Sequence, residues 1–388
     1  MTDAGGKPRV VYVSYDGVGE PLGRSQVLSY LYRLAGEYDI TLVSFEKTRT
    51  GRAALRAELS ERGIRWLALP YHKRPPLLST VIDVAAGAVA LVALAWRHGY
   101  PDIVHVRSYV PALMAVLARR ITAGSLVFDI RGFWVDERVD GGIWPRESLT
   151  YGLVYRVAKR SEGWLFGSAD AIVTLTHASV PQIRMWLGSR TTPVVVIPTC
   201  TDVERFAASA ARDDGPHLTW CGSVGTWYRF DLAGPLAQAC GRPLDVITRQ
   251  PEAARKILGP TSARIRSLDA AEVPTALHAG DIGLSLCVGS FSKTASAPTR
   301  FAEYLASGMP VIVNRGVGDL AQIVEEHDVG VVLDGEDAES IEQAARQALA
   351  LAAKPEVQAR CRLTALQLFD VDAGARRYAD LYQRLLGR

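Results

Sequence analysis

Arg9-Val10-Val11-Tyr12-Val13-Ser14 leads into Tyr15-Asp16-Gly17-Val18-Gly19-Glu20-Pro21-Leu22-Gly23 and then Arg24-Ser25-Gln26-Val27-Leu28. The first six residues form an apolar run with β-branched side chains, which reads as a buried strand. Asp16 to Gly23 is a glycine-bearing loop. From Ser25 to Gly36, Val27, Leu28, Leu31 and Leu34 recur at helical spacing. Strand, glycine loop and helix in that order begin an α/β nucleotide-type domain. The glycines permit close backbone approach, and a helix starting at Ser25 offers free N–H groups and a positive dipole end. Asp16, Gly17, Gly23 and Arg24 are thus candidates to seat a phosphate or an anionic acceptor group; an ordinary βα turn uses the same glycines. The spacing is not the dinucleotide GxGxxG, and no Lys-Ser/Thr follows as in a P-loop.

Outward from that stretch, strands and helices alternate. Ile40–Phe45, Arg65–Leu69, Ile103–Val106, Leu126–Ile130, Ala171–Leu175 and Val194–Ile197 read as strands. Helices are expected over Arg52–Arg62, Leu77–Trp96 and Pro111–Arg120. The pattern restarts at Leu218–Cys221, followed by Gly222-Ser223-Val224-Gly225. It continues through Pro235–Cys240, Leu244–Thr248, Pro251–Leu258, Ile265–Ser267, Val273–His278 and Asp281–Leu286. Thr299–Ser307 is a helix stopped by Gly308 and Pro310. Val311–Asn314 and Val329–Leu333 are strands, and Ala338–Ala353 and Pro355–Leu386 are helical. The expected fold is α/β: two Rossmann-like doubly wound domains, residues 1–199 and 200–365, with a C-terminal helix over 366–388. A ligand is expected between them, outside the carboxyl ends of the strands.

The 388 residues are 48% hydrophobic and 22% charged, which excludes a disordered chain and a collagen-like repeat. A formal charge of +3 is too balanced to argue for nucleic acid. The charge is uneven: residues 1–199 carry 24 Lys+Arg against 17 Asp+Glu. A basic front half suits an anionic membrane or substrate, and equally a solvated surface. Five cysteines without Cys-x-x-Cys spacing argue against a zinc knuckle and a disulfide framework. They read as buried, reduced thiols in a cytoplasmic protein. Leu77–Trp96 approaches membrane-spanning length, yet it is rich in Ala and Gly and holds Asp83. With Lys73 and Arg74 just before it, it reads as a buried or interfacial helix resting on a bilayer surface, at the inner face of the cell membrane.

Two further segments carry chemistry. Asp129-Ile130-Arg131-Gly132-Phe133-Trp134-Val135-Asp136-Glu137-Arg138 begins where a buried strand ends. A carboxylate there, Asp129 or Glu137, can orient or deprotonate a hydroxyl, and Arg131 can meet a phosphate. A structural ion-pair loop has the same composition. In Ser290–Val311, small hydroxyl residues with Lys293 and Arg300 precede a helix N-terminus, a setting for phosphate. Glu303, one turn into that helix, can accept from two vicinal ribose hydroxyls, or it can simply compensate the helix dipole.

This last stretch, ending Glu303-Tyr304-Leu305-Ala306-Ser307-Gly308-Met309-Pro310-Val311, resembles the donor-binding segment of family 4 retaining glycosyltransferases. Asp281-Ile282-Gly283-Leu284, Val194–Pro198 with Asp202 and Phe206, and Trp220-Cys221-Gly222-Ser223 match as well. Tyr15-Asp16-Gly17 with Pro21–Gln26, Arg131–Trp134 with Asp136-Glu137, and Gly225–Tyr228 look like a bacterial subgroup. The resemblance implies the two-domain type B fold and a C-terminal helix crossing back to the first domain. It also implies transfer from a nucleotide-diphosphate sugar to a carbohydrate or lipid-linked acceptor, with retention, in polysaccharide or glycoconjugate synthesis. Donor contacts are implied at Gly222, Ser223 and Glu303; the family's basic pair after the second domain's first strand is absent, and Arg229, with Arg249 second to it, and Lys293, Ser296, Ala297, Thr299 and Arg300 are the candidates to take its place at the donor. No cofactor, no metal and no nucleic-acid partner are expected. The family's Glu-x7-Glu pattern keeps its second member as Glu303 but has Ala295 at the first, and Pro298 lacks an N–H. Asp129 stands where many members place a histidine. The alternatives are a sugar-nucleotide epimerase or phosphorylase on the same scaffold, or a noncatalytic polysaccharide-assembly partner. A dinucleotide oxidoreductase has its acidic residue in Glu46 but the wrong glycine loop.

Overall fold

The computed structural model describes residues 6–75, 78–145, 147–207, 217–278 and 280–387. The expected helix start at Leu77 lies outside the described residues. The chain divides into two compact units. The first runs to Thr174, includes Ser179–Ile197 and recruits the chain again from Gly374 onward; the second takes Leu175–Ala178 and Pro198–Ala373.

The first unit is built on a parallel sheet of β1 (Arg9–Ser14), β2 (Asp39–Glu46), β3 (Arg65–Pro70), β4 (Ile103–Arg107), β5 (Ser125–Asp129), β6 (Ala171–Thr174) and β7 (Val194–Val196), ordered β3-β2-β1-β4-β5-β6-β7. The second contains β8 (Leu218–Cys221), β9 (Leu244–Ile247), β10 (Arg264–Arg266), β11 (Ile282–Ser285), β12 (Val311–Asn314) and β13 (Gly330–Leu333), ordered β10-β9-β8-β11-β12-β13 and again parallel. Helical crossovers cover such sheets on both faces, so their strands are apolar throughout. Val13, Ile40, Val43, Val127, Val246 and Ile312 are accordingly sealed from solvent. Both strand orders reverse direction once, between β1 and β4 and between β8 and β11. Each reversal opens a crevice at the carboxyl edge of its sheet.

Two expectations about elements are corrected, and one helix is added. The helix after β1 begins at Pro21 rather than Ser25, and Arg24–Leu28 winds as a π turn. Pro21 suits a first helical position because its missing N–H is not needed there. Gly23 and Arg24 therefore lie inside the helix and not before it. The helix expected over Pro355–Leu386 is two helices, Val357–Leu368 and Val371–Leu385. The break at Asp370 is held by backbone bonds: Thr201 N–H donates to the Phe369 carbonyl (2.8 Å), and Val371 N–H donates to the Thr201 carbonyl (3.0 Å). A long helix over Leu149–Ser168 was not legible in the sequence, because its outward side mixes Leu153, Val157 and Trp164 with Arg156 and Arg160 and so presents no separate polar face.

Candidate active site

In the first unit, the carboxyl ends of β1, β4 and β5 gather a buried polar cluster. Arg107, at the end of β4, lies opposite Asp129 at the end of β5. Its Nη1 donates to Asp16 Oδ2 at 2.6 Å. Asp129 is 1% exposed. Its Oδ2 accepts from the Tyr378 hydroxyl at 2.9 Å and lies 3.6 Å from Arg131 Nη1 and 3.8 Å from His105 Nε2. Arg131 Nη2 donates to Gln26 Oε1 at 3.3 Å. His105 Nδ1 meets the Tyr382 hydroxyl at 2.5 Å. Tyr378 and Tyr382 come from the Val371–Leu385 helix, on the part of the chain that belongs to this unit. Burial alone would raise the Asp129 carboxyl, but Arg131, His105 and Arg107 outweigh it and hold it below the ordinary carboxylate range. Burial pushes the His105 imidazole down despite Asp129. Two buried atoms, Asp129 Oδ1 and His105 Nε2, have no hydrogen-bond partner. Ser108 (φ 74°) and Arg131 (φ 55°), just past β4 and β5, adopt left-handed backbone that non-glycine residues rarely hold.

Asp16, Asp129 and Arg131 are thus brought into one cluster. Glu137 sits half-buried in the first turn of the Trp134–Asp140 helix. Its neighbour Asp136 is buried and accepts from Tyr155 (2.8 Å) and Lys159 (2.9 Å), so part of this segment is an ion-pair loop. The glycine loop holds an anion supplied by the protein itself. Glu46 Oε1 accepts from Val18 N–H (2.9 Å) and from Ser44 Oγ (2.6 Å). A Cβ on Gly17 would stand 3.0 Å from Glu46 Oε2. Arg24 points to Glu58 at 3.2 Å and is half-exposed. Of the loop expected to seat an anion, with Gly17, Gly23 and Arg24, the Val18 N–H is taken up by Glu46. Residues that the sequence reading did not single out are His105, Arg107 and Tyr382; Glu46 was read only as the acidic residue after the second strand. The signal for the first two was present, as polar residues spaced by two in the strand His105-Val106-Arg107.

In the second unit the Thr299–Ala306 helix carries the candidate donor residues. Pro298 caps it in extended conformation. Tyr304 fastens it to the sheet: its hydroxyl accepts from Cys221 N–H at 2.7 Å, and its ring covers Gly283 where any Cβ would clash. Arg300 pairs with Glu303, which is buried. Burial raises the Glu303 carboxyl above its ordinary range, against the pull of Arg300. The Arg300 stem lies over Gly222, whose φ of 150° follows the end of β8; Ser223 comes next. Trp227 reaches the same edge because Val288 N–H donates to its carbonyl at 3.0 Å. Lys293 Nζ sits 4.1 Å from the centre of the Trp227 ring, in a short helical turn over Phe291–Ala295. Ser296 and Ala297 link that turn to Thr299, and Ser296 N–H donates to the Lys293 carbonyl (3.0 Å). Arg229 forks onto Asp231 (2.7 Å) and pairs with Glu336, so its charge is compensated within the protein. Arg249 is exposed in the bend after β9. Among the described residues no group of three His, Cys, Asp or Glu side chains is placed to hold a metal ion.

Residues 24–200 match the family model described as glycosyl transferase 4-like domain. No curated protein matches the chain. Sucrose-phosphate synthase from Thermosynechococcus elongatus superposes with a TM-score of 0.75 at 14% identity, over 98% of this chain and 100% of that one. Anabaena HepE in complex with UDP-glucose gives 0.68 at 14% identity, over 97% and 99%. A putative UDP-N-acetylglucosamine 2-epimerase from Listeria monocytogenes gives 0.61 at 15%, over 99% and 98%. At these identities the likeness is one of architecture, and with the two parallel sheets it is the type B glycosyltransferase fold that the chain adopts.

Proposed function

We propose that the chain is a retaining glycosyltransferase that moves a sugar from a nucleotide-diphosphate sugar to a carbohydrate or lipid-linked acceptor in surface polysaccharide or glycoconjugate synthesis. The observation that carries this reading is the constellation at the edge of the second sheet. Gly222, Arg300 and Glu303 meet there beside Lys293 on the Trp227 ring, at the start of a helix. The match to the glycosyl transferase 4-like model and the likeness to HepE, solved with UDP-glucose, support it.

The chemistry follows from charge. Breaking the bond from the anomeric carbon to phosphate leaves negative charge on the diphosphate. The N-terminus at Thr299, Arg300 and Lys293 meet that charge, with Ser223, Ser296 and the Ala297 backbone lining the approach. Glu303 takes the ribose hydroxyls when Arg300 turns to phosphate. Arg229 and Arg249 complete the cationic set, Arg229 on release from its carboxylates. On the acceptor side Asp129 is held ionised by Arg131 and Arg107. A carboxylate kept below its ordinary range is a weak base, so Asp129, Arg131, Asp16 and Glu137 orient the acceptor. The acceptor proton passes to the departing diphosphate oxygen as the new carbon–oxygen bond forms. The five cysteines, all free and buried, are in keeping with a cytoplasmic protein.

The test is thermal stability against UDP, GDP, dTDP and ADP and their sugars. A ligand at 100 times its Kd stabilises the native state by about 2.7 kcal/mol. One nucleotide should raise the melting temperature; no shift with any of them overturns the reading. Ala295, in place of a carboxylate that would contact the transferred sugar, and the Listeria neighbour favour a second reading, an epimerase. It is distinguished by proton NMR of the bound nucleotide sugar without acceptor, where epimerisation changes the sugar signals and a transferase leaves them intact.

A further inference from the structure

The helix Leu78–His98 in the first unit is apolar on both sides, with Val84, Ala90, Leu91 and Ala95 buried inward. Its inward residues include Ser79, Asp83 and Gly87, all buried. Asp83 is fully buried and bonded: its Oδ1 meets His72 Nδ1 at 2.5 Å, and its Oδ2 accepts from the Tyr15 hydroxyl at 2.8 Å. Its outward residues are apolar: Leu78, Val81, Ile82, Val89 and Trp96 are 56, 64, 48, 68 and 75% exposed. Soluble helices ordinarily turn a polar side outward. The helix also packs tightly side-on, since a Cβ on Gly87 would stand 2.3 Å from the Met114 sulfur in the neighbouring Tyr109–Thr122 helix. It is therefore a fixed part of the unit and not a segment free to span a bilayer.

The neighbours extend the same surface. Tyr109–Thr122 exposes Leu117 and Ile121, and Leu149–Ser168, packed against it, exposes Leu153, Val157 and Trp164. On these three helices both acidic side chains, Asp83 and Glu162, are buried, while Arg97, Arg120, Arg156 and Arg160 are exposed. Lys73 and Arg74, just before the first helix, are exposed too. Near its carboxyl end the first helix borders a groove of about 750 Å3. There Ala93 and Leu94 face Arg56, Arg65, Trp66 and Arg97. Apolar surface studded only with positive charge repels a second copy of itself and complements a surface that is anionic outside and apolar beneath.

We propose that this three-helix face docks the protein on an anionic lipid bilayer, with the Leu78–His98 helix lying in the interface plane. The test is flotation of the full chain with phosphatidylcholine vesicles, with or without 30 mol% phosphatidylglycerol (about a third anionic, enough to set the surface potential). The protein is expected to float only with the anionic vesicles, and less as salt rises. Val81→Ser/Val89→Ser/Trp96→Ser and Arg97→Glu/Arg120→Glu/Arg156→Glu should each weaken partitioning at least roughly tenfold, the size of losing a few apolar or basic contacts. Both alter only exposed positions, and unchanged melting temperatures show that they fold. Bilayer-embedded bromine should quench tryptophan emission of the unaltered chain and quench the Trp96→Phe variant less. No flotation at low salt, or flotation unaffected by both triple variants, overturns the proposal. So does a concentration-dependent dimer in sedimentation that the triple variants abolish. None of these readings involves nucleotide or turnover, so they stand or fall apart from the glycosyl-transfer reading.

Discussion

Gly23 shows how one absent atom shapes the first unit. A Cβ there would sit 2.3 Å from the Gly17 carbonyl oxygen and 2.5 Å from Val18 Cα, both backbone atoms with no room to retreat. Gly23→Ala is expected to lower unfolding free energy by about 2 kcal/mol, within the range of overpacking costs, as read by urea denaturation. Lys293 and Glu303 bear on chemistry instead. Lys293→Met should weaken nucleotide binding by about tenfold, roughly 1.4 kcal/mol, seen as a smaller nucleotide-induced melting shift. Glu303→Gln should cut kcat/KM about 100-fold, an effect of about 2.7 kcal/mol. A Glu303→Gln enzyme with unaltered kcat/KM would remove that residue from the donor site.

Among the elements, the Val371–Leu385 helix has the widest reach. Its hydroxyls complete the partners of Asp129 and His105, so it belongs to the polar cluster as much as to the packing. Tyr378→Phe deletes one hydrogen bond to a buried carboxylate whose other oxygen already has no partner. A loss of about 2 kcal/mol is expected in chemical denaturation. A value near zero would mean that this hydrogen bond adds no net stability. Strands were legible from the sequence because parallel strands buried on both faces leave unbroken apolar runs, as in Arg9–Ser14 and Val311–Asn314. Helix ends were less so. Pro21 starts a helix four residues before the point that periodicity suggested, and the Asp370 break depends on Thr201, far away in the chain. The candidate donor helix was legible because its glycine stop and glutamate are local. The Asp129 cluster was half hidden, because His105 and Tyr382 meet across 277 positions.

For the whole molecule the buried imidazole sets a pH dependence. The folded pKa of His105 is lowered relative to its unfolded value of about 6.5. Just below that pH the unfolded chain binds a proton that the folded chain refuses. Stability therefore falls as pH drops from about 7 towards 5, by at most about 1.4 kcal/mol per pH unit for one group. Melting temperatures between pH 5 and 8 should show this slope, and His105→Gln should flatten it; an equal slope in the variant would assign the proton elsewhere. The same cluster joins parts of the first unit that lie far apart in the sequence. β1 is made before the second unit, yet Tyr378 and Tyr382 join its unit only after the second unit has been synthesised. On the ribosome, the first unit must wait with Asp129 and His105 uncovered until residue 382 has left the exit tunnel. A chain cut short anywhere in the second unit then leaves an unfinished first unit.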